Sequence, residues 1–325
     1  MISRLFSTTL LLVVLTVAAA QNLPDAPGEL VDVNDHALHL YCEGEGSPTV
    51  ILETGLGDGA INFRSLQSRV ATFTRVCSYD RAGYGWSETG PEPRDVDTLV
   101  SELETLLNNA GVDGPYVMAG HSYGGILSWV FANRNPEEVR GVVLIDSSHP
   151  DQLTALAAVP EVVAVQDMEI EGLAGVVAAA EAGQLPAEAV MPNAPPVLSS
   201  SAKQTWATLF VQPKQLRAVV AEYDAIGVGL EQASGSVDIG AIPLTVLSRG
   251  IGLEGQLPAE ALEGLGLTPD VLERFDEVWS ELQADLVGLS TNAKRVVAEN
   301  SNHYIYYGQP ELVVAAIREL VNEAP

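Results

Sequence analysis

Basic residues are scarce in this 325-residue chain. Lys and Arg number 16 against 43 Asp and Glu, a formal charge of −27 at pH 7, and the only lysines are Lys203, Lys214 and Lys294. A surface this acidic repels phosphate backbones and anionic headgroups, which argues against a nucleic-acid partner and against peripheral membrane binding. Cysteine is nearly absent too, at two residues. That excludes a disulfide-dense miniprotein, and neither His-Glu-x-x-His nor Cys-x-x-Cys occurs, so no metal site and no cofactor is expected. Past the N-terminus no apolar run reaches the roughly 18 residues of a spanning helix, so no stable membrane anchor is expected. What is present is ordinary globular material: 47% hydrophobic, 18% charged, 29 Gly and 19 Pro. The length suits one large domain with an insertion, or two small ones.

The first 20 residues read as an export leader rather than as fold. Arg4 supplies a positive charge, Leu10 to Val17 an apolar stretch, and Ala18-Ala19-Ala20 the small residues of a cleavage site before Gln21. A periplasmic or secreted location follows. An even cysteine count in an oxidising compartment favours one bridge between Cys42 and Cys77, with two buried free thiols as the alternative.

Strand and helix patterns then alternate. Glu29–Val33 and Ala37–Cys42 read as a hairpin around Asn34-Asp35-His36. Strands are also predicted at Thr49–Glu53, Phe73–Tyr79, Tyr116–Ala119, Val142–Ile145, Leu244–Leu247 and Arg295–Ala298. Helices are predicted near Arg64–Ala71, over Asp95–Ala110 up to Gly111, and over Pro310–Val321. Strands apolar on both faces and alternating with helices predict an α/β fold with a mainly parallel sheet. About 90 residues separate the Val142 and Leu244 strands, too many for a loop. They look helical, for example from Thr205 to Tyr223, so residues 150–239 are expected to form an inserted cap on a core made of 21–149 and 240–325.

Gly120-His121-Ser122-Tyr123-Gly124 follows one predicted strand and opens a helix. In that context Gly-x-Ser-x-Gly marks a sharp turn that lifts a serine oxygen clear of the sheet. With Leu52-Glu53-Thr54-Gly55-Leu56-Gly57, Asp80-Arg81-Ala82-Gly83-Tyr84-Gly85-Trp86-Ser87 and Asn300-Ser301-Asn302-His303, in that order along the chain, the sequence resembles the α/β-hydrolases over nearly its whole mature length. One departure is Thr54-Gly55 where the family usually has His-Gly. The resemblance implies an eight-stranded, mostly parallel sheet flanked by helices, with the cap after the sixth strand. It also implies a serine hydrolase acting on small-molecule carboxylic esters through an acyl-enzyme on Ser122. An aminopeptidase or amidase on the same residues is the alternative, followed by a non-catalytic ligand binder. Family members that open epoxides or remove halogens carry Asp at the elbow, where Ser122 stands here.

His303 is the expected base, the one histidine of five in a short polar loop after the last strand. Backbone N–H groups of Leu56 and Tyr123 are the expected oxyanion donors. The family's usual acid position, after the seventh strand, has no carboxylate until Glu254. Asp146 ends the sixth strand, a position some members use, and its rigid mount favours it over Glu254. Asp80 is expected to organise local backbone N–H groups. His121 is expected to point away from the reactive face, His149 to lie near the site rim, and Met168, Trp206, Phe210 and Tyr223 are candidates for an acyl pocket or for simple cap packing. In the family's sheet order Cys42 and Cys77 fall on neighbouring strands. Gly250-Ile251-Gly252-Leu253-Glu254-Gly255 matches a dinucleotide fingerprint, but Glu254 would face the pyrophosphate and Pro258 disfavours a helix leaving the turn, so NAD is not expected.

Overall fold

The chain enters its sheet through the hairpin β1 (Glu29–Val33) and β2 (His36–Glu43), then runs through β3 (Thr49–Glu53), α1 (Arg64–Val70) and β4 (Val76–Tyr79). It alternates α2 (Val96–Asn109), β5 (Tyr116–His121), α3 (Tyr123–Arg134) and β6 (Val139–Ile145). Between β6 and β7 (Leu244–Arg249) lie α4 (Gln152–Leu156), α5 (Pro160–Glu181), α6 (Ala187–Val190), α7 (Ser200–Phe210) and α8 (Pro213–Ser234). α9 (Ala259–Gly264) and α10 (Pro269–Asp285) precede β8 (Ala293–Ala298), and α11 (Ile305–Gly308) and α12 (Pro310–Glu323) follow it. This computed structural model describes residues 23–255 and 259–323; the leader read at 1–20 lies outside them, as do residues 256–258.

The sheet order is β1-β2-β4-β3-β5-β6-β7-β8. β2 pairs antiparallel with β1 and β4, and the other neighbours are parallel. Cys42 stands opposite Cys77 on β2 and β4, and the two are joined by a disulfide. Successive side chains of a strand face opposite sides, which explains two separate cores. Met118, Val142, Leu144 and Val246 pack with Leu99, Leu103 and Trp129 of α2 and α3 on one side. Val117, Ala119, Val143, Ile145 and Leu247 pack with Leu66, Val313 and Ile317 of α1 and α12 on the other. Central strands covered on both faces cannot alternate polar with apolar, hence their continuous hydrophobic runs.

Two elements differ from their sequence patterns. The stretch expected as one helix over Thr205–Tyr223 is two, α7 and α8, because Pro213 lacks an N–H and suits the first turn of a new helix. The strand expected from Phe73 begins only at Val76, since the Phe73 and Thr74 N–H groups close α1 on Val70 O (3.1 and 3.3 Å).

The helices between β6 and β7 do not stand apart from the sheet. α8 contributes Leu230 and Ala233 to the core under α2 and α3. α9 and α10, in the stretch read as core, share an apolar cluster with α4 and α5 through Leu156, Val159, Val162, Leu262, Val271 and Phe275.

Candidate active site

β5 and α3 meet at Ser122, whose backbone lies at φ 52° and ψ −122°. A non-glycine residue persists there only when its surroundings over-determine it. Ser122 N–H donates to Ile145 O (3.1 Å), while Gly125 N–H and Ser148 N–H both donate to Ser122 O (2.9 Å each). The flanking glycines are sterically required: a Cβ on Gly120 would sit 2.2 Å from Gly124 O, and one on Gly124 would sit 2.4 Å from Glu53 O. Ser122 lines a cavity of about 370 Å³ together with Leu56, Tyr123, Arg249, Trp279 and His303.

His303 sits in the loop between β8 and α11, its side chain 22% exposed. Its Nδ1 lies 2.6 Å from Asp146 Oδ2, which leaves Nε2 for a partner in the cavity. Among the described residues Ser122 Oγ makes no hydrogen bond to this ring; such contacts are commonly loose before a substrate is bound. Asp146 is fully buried at the end of β6 with φ 44°. Its carboxylate also accepts from Arg249 N–H (3.0 Å), Arg249 Nη1 (3.2 Å) and Trp279 Nε1 (3.1 Å). Burial alone would raise its pKa, but the bond and charge of His303, with Arg249, hold it well below the usual carboxylate range. Glu254 is exposed in a short 3₁₀ turn, Leu253–Gly255, and makes no such contact with His303.

Leu56 and Tyr123 both border the cavity. Tyr123 is the first residue of α3, so its N–H has no acceptor within the helix. The Leu56 loop is held from behind by buried Arg81, which donates to Thr54 O (2.7 Å) and Gly55 O (3.0 Å). Arg81 also pairs with Glu53 on β3 (3.1 Å) and, with both carboxylate oxygens, with Glu222 on α8 (2.8 and 2.9 Å). Burial pushes the Glu53 carboxyl up to about 7 against the pull of Arg81. Thr54, at the departure from the family's His, donates through Oγ1 to Asp58 O (2.8 Å).

The remaining candidates fall as follows. Asp80 accepts from Ala60 N–H (2.7 Å), Trp86 N–H (3.2 Å) and His39 Nδ1 (2.8 Å), pinning the turn after β4 from within the core. His121 packs behind His303, rings 4.5 Å apart, with Nε2 donating to His303 O (3.1 Å). Burial and the neighbouring His303 push its pKa well down, so it stays neutral. His149 is buried; its Nδ1 accepts from Asp151 N–H (3.0 Å) and its Nε2 donates to Asp285 (3.1 Å). Of the apolar cap candidates, Tyr223 borders the Ser122 cavity, Met168 points to solvent at 58% exposure, and Trp206 and Phe210 stack on one another beside a second cavity. The Gly250–Gly255 stretch leaves β7 into that short 3₁₀ turn, and a Cβ on Gly252 would strike the Asp276 carboxylate at 1.7 Å.

Sequence reasoning missed Arg249, Trp279 and Glu222. Arg249 bridges Asp146 and Asp276 (2.9 Å) beneath the rings of Phe275 and Trp279. The available signal was a basic residue closing an apolar strand in a chain with few of them. Trp279 and Glu222 lie on helices whose patterns are those of ordinary packing, so no local signal marked them.

Comparison with known proteins agrees with this architecture. The chain is 32% identical over 127 residues to the Bacillus subtilis protein YbdG, an alignment covering 38% of this chain and only 39% of that protein. The enol-lactonase of Burkholderia xenovorans LB400 superposes with a TM-score of 0.60 at 17% identity, covering 91% of this chain and 100% of that one. Epoxide hydrolase VrEH1 of Vigna radiata superposes with a TM-score of 0.67 at 17% identity, covering 91% and 97%. At such identities the likeness concerns the fold alone. The model of the α/β hydrolase fold family matches residues 48–212, about half of the chain, from the strand before the Leu56 loop past the Ser122 elbow. The chain therefore belongs to the α/β-hydrolase family.

Proposed function

We propose that the chain is a serine hydrolase that cleaves carboxylic esters of small molecules. The observation that carries this reading is the 2.6 Å contact of His303 Nδ1 with buried Asp146, on a histidine that shares its cavity with the strained Ser122 elbow. In the proposed reaction Ser122 Oγ attacks the acyl carbon and gives its proton to His303 Nε2. The tetrahedral oxyanion is met by the N–H groups of Leu56 and Tyr123. As the acyl–oxygen bond breaks, His303 returns the proton to the departing alkoxide and leaves an ester on Ser122. Water, deprotonated by the same nitrogen, then releases the acid and restores the serine. Asp146 fixes the tautomer with the proton on Nδ1 and stabilises the imidazolium as it forms.

Glu254 does not fill this role in the proposal, because it is exposed on a turn following Gly250 and Gly252 and cannot fix a ring orientation as a strand end does. The disulfide fits an oxidising compartment, and with the leader-like N-terminus it supports export. A panel of p-nitrophenyl esters of rising acyl length, run beside amino-acid anilides, tests the reaction class. Turnover of the esters, lowered by roughly 10⁶ in Ser122→Ala, is expected. Retention of more than a few per cent of activity in that variant would sink the proposal.

A further inference from the structure

A second cavity, of about 510 Å³, shares Leu56 with the one that holds Ser122. Two aromatic pairs contribute to its walls. Trp206 and Phe210 on α7 stack at 4.9 Å between ring centroids, and Tyr304 and Tyr307, from the His303 loop and α11, stack at 5.5 Å. Asp58 is the one charged residue among the described residues that border it. Both side chains that donate to the Asp58 carboxylate are neutral: Asn62 Nδ2 at 2.7 Å and the Tyr306 hydroxyl at 3.2 Å. Burial pushes this carboxyl up to about 6.

Asp58 is half-buried and no cationic side chain forms an ion pair with it among the described residues, and a partly desolvated carboxylate is stabilised by a cation. The faces of Trp, Tyr and Phe rings attract organic cations, most strongly where water is excluded. An otherwise neutral aromatic chamber with one carboxylate is complementary to an ammonium group, and the field of a chain carrying −27 draws cations towards it. Asn302 and Tyr304 border this cavity and flank His303, the group that in the proposed reaction protonates the departing oxygen. The chamber therefore adjoins the loop that carries His303.

We propose that this second cavity binds the ammonium group of a cationic leaving alcohol, with Asp58 as counter-ion and the Trp206–Phe210 and Tyr304–Tyr307 pairs as its aromatic walls. The inference deepens the serine-hydrolase reading and rests on it: the substrate would be an ester spanning both cavities, with its carbonyl at the Leu56 junction.

Two measurements test the proposal separately from the reaction. In Ser122→Ala, calorimetric titration should find choline bound at least about tenfold more tightly than 3,3-dimethylbutanol, its uncharged carbon isostere. Asp58→Asn and, independently, Trp206→Leu in that background should remove most of this preference. In the wild-type enzyme, kcat/KM for a choline ester should exceed that for the matching 3,3-dimethylbutyl ester by a similar factor, and the ratio should collapse in Asp58→Asn. Neutral esters turned over without any preference for the cation would overturn the ammonium site and leave the hydrolase reading intact. Selective choline binding in a protein that turns over no ester would support the site and overturn the hydrolase reading. Equal binding of choline and its isostere would overturn the proposal outright.

Discussion

Asp146 adopts a left-handed backbone conformation, which Asp tolerates better than most side chains, and four donors converge on its carboxylate. Three of them, the Arg249 N–H, the Arg249 guanidinium and the Trp279 indole, hold it still, and the fourth is His303. An asparagine there would turn an NH₂ towards donors and lose the charge that favours the imidazolium. Asp146→Asn is therefore expected to lower ester turnover by about 10⁴, while Glu254→Gln changes it less than about twofold. Steady-state kinetics on the two purified variants decide this, and a crippled Glu254→Gln beside an active Asp146→Asn reverses the assignment. At this scale the sequence was informative about placement: Ser122 stands at the elbow, and His303 and the strand-end Asp146 come into contact beside the same cavity. It was silent on Arg249, because the partner that gives this residue meaning lies 103 positions away.

The elements explain why those residues hold their places. Gly120 and Gly124 let β5, α3 and the chain after β3 approach more closely than any Cβ permits. The Leu56 loop depends on an element far along the chain, since α8 brings Glu222 to Arg81 and Arg81 fixes two carbonyls of that loop. Breaking a buried pair costs up to about 3–5 kcal/mol, and without Glu222 the buried Arg81 would keep Glu53 as its carboxylate partner. Glu222→Ala should show that loss in its denaturant midpoint together with a fall in kcat larger than any rise in KM. A variant within about 1 kcal/mol of wild type would detach α8 from the Leu56 loop. The β2–β4 pairing carries the disulfide, which closes a loop with a sequence separation of 35. Reducing it, or replacing both cysteines by serine, should cost about 2–4 kcal/mol of unfolding free energy. Unchanged stability, or two free thiols in non-reducing peptide maps, contradicts the bridge. That pairing was legible only through the family's sheet order. The break between α7 and α8 could be read from Pro213 itself, yet the apolar spacing on either side runs through it and disguises two helices as one.

For the whole molecule, the parallel sheet was legible because strands covered on both faces are mostly apolar, as Val142–Ile145 is throughout and Leu244–Leu247 is apart from Thr245. The excursion between β6 and β7 was legible by length. The α9–α10 pair was not recognised as a second roof over the site, because its contacts with α4 and α5 join segments about 100 residues apart and leave no local pattern. In the proposed reaction both roofs and the sheet converge on one reacting atom, the Ser122 oxygen. Covalent labelling with a fluorophosphonate addresses it directly: Ser122 Oγ displaces fluoride and keeps the phosphonate, a mass change that peptide mapping locates. Stoichiometric labelling confined to the Ser122 peptide, and abolished in folded Ser122→Ala, is expected. An unlabelled wild-type protein, or equal labelling of the variant, would contradict the serine-hydrolase reading.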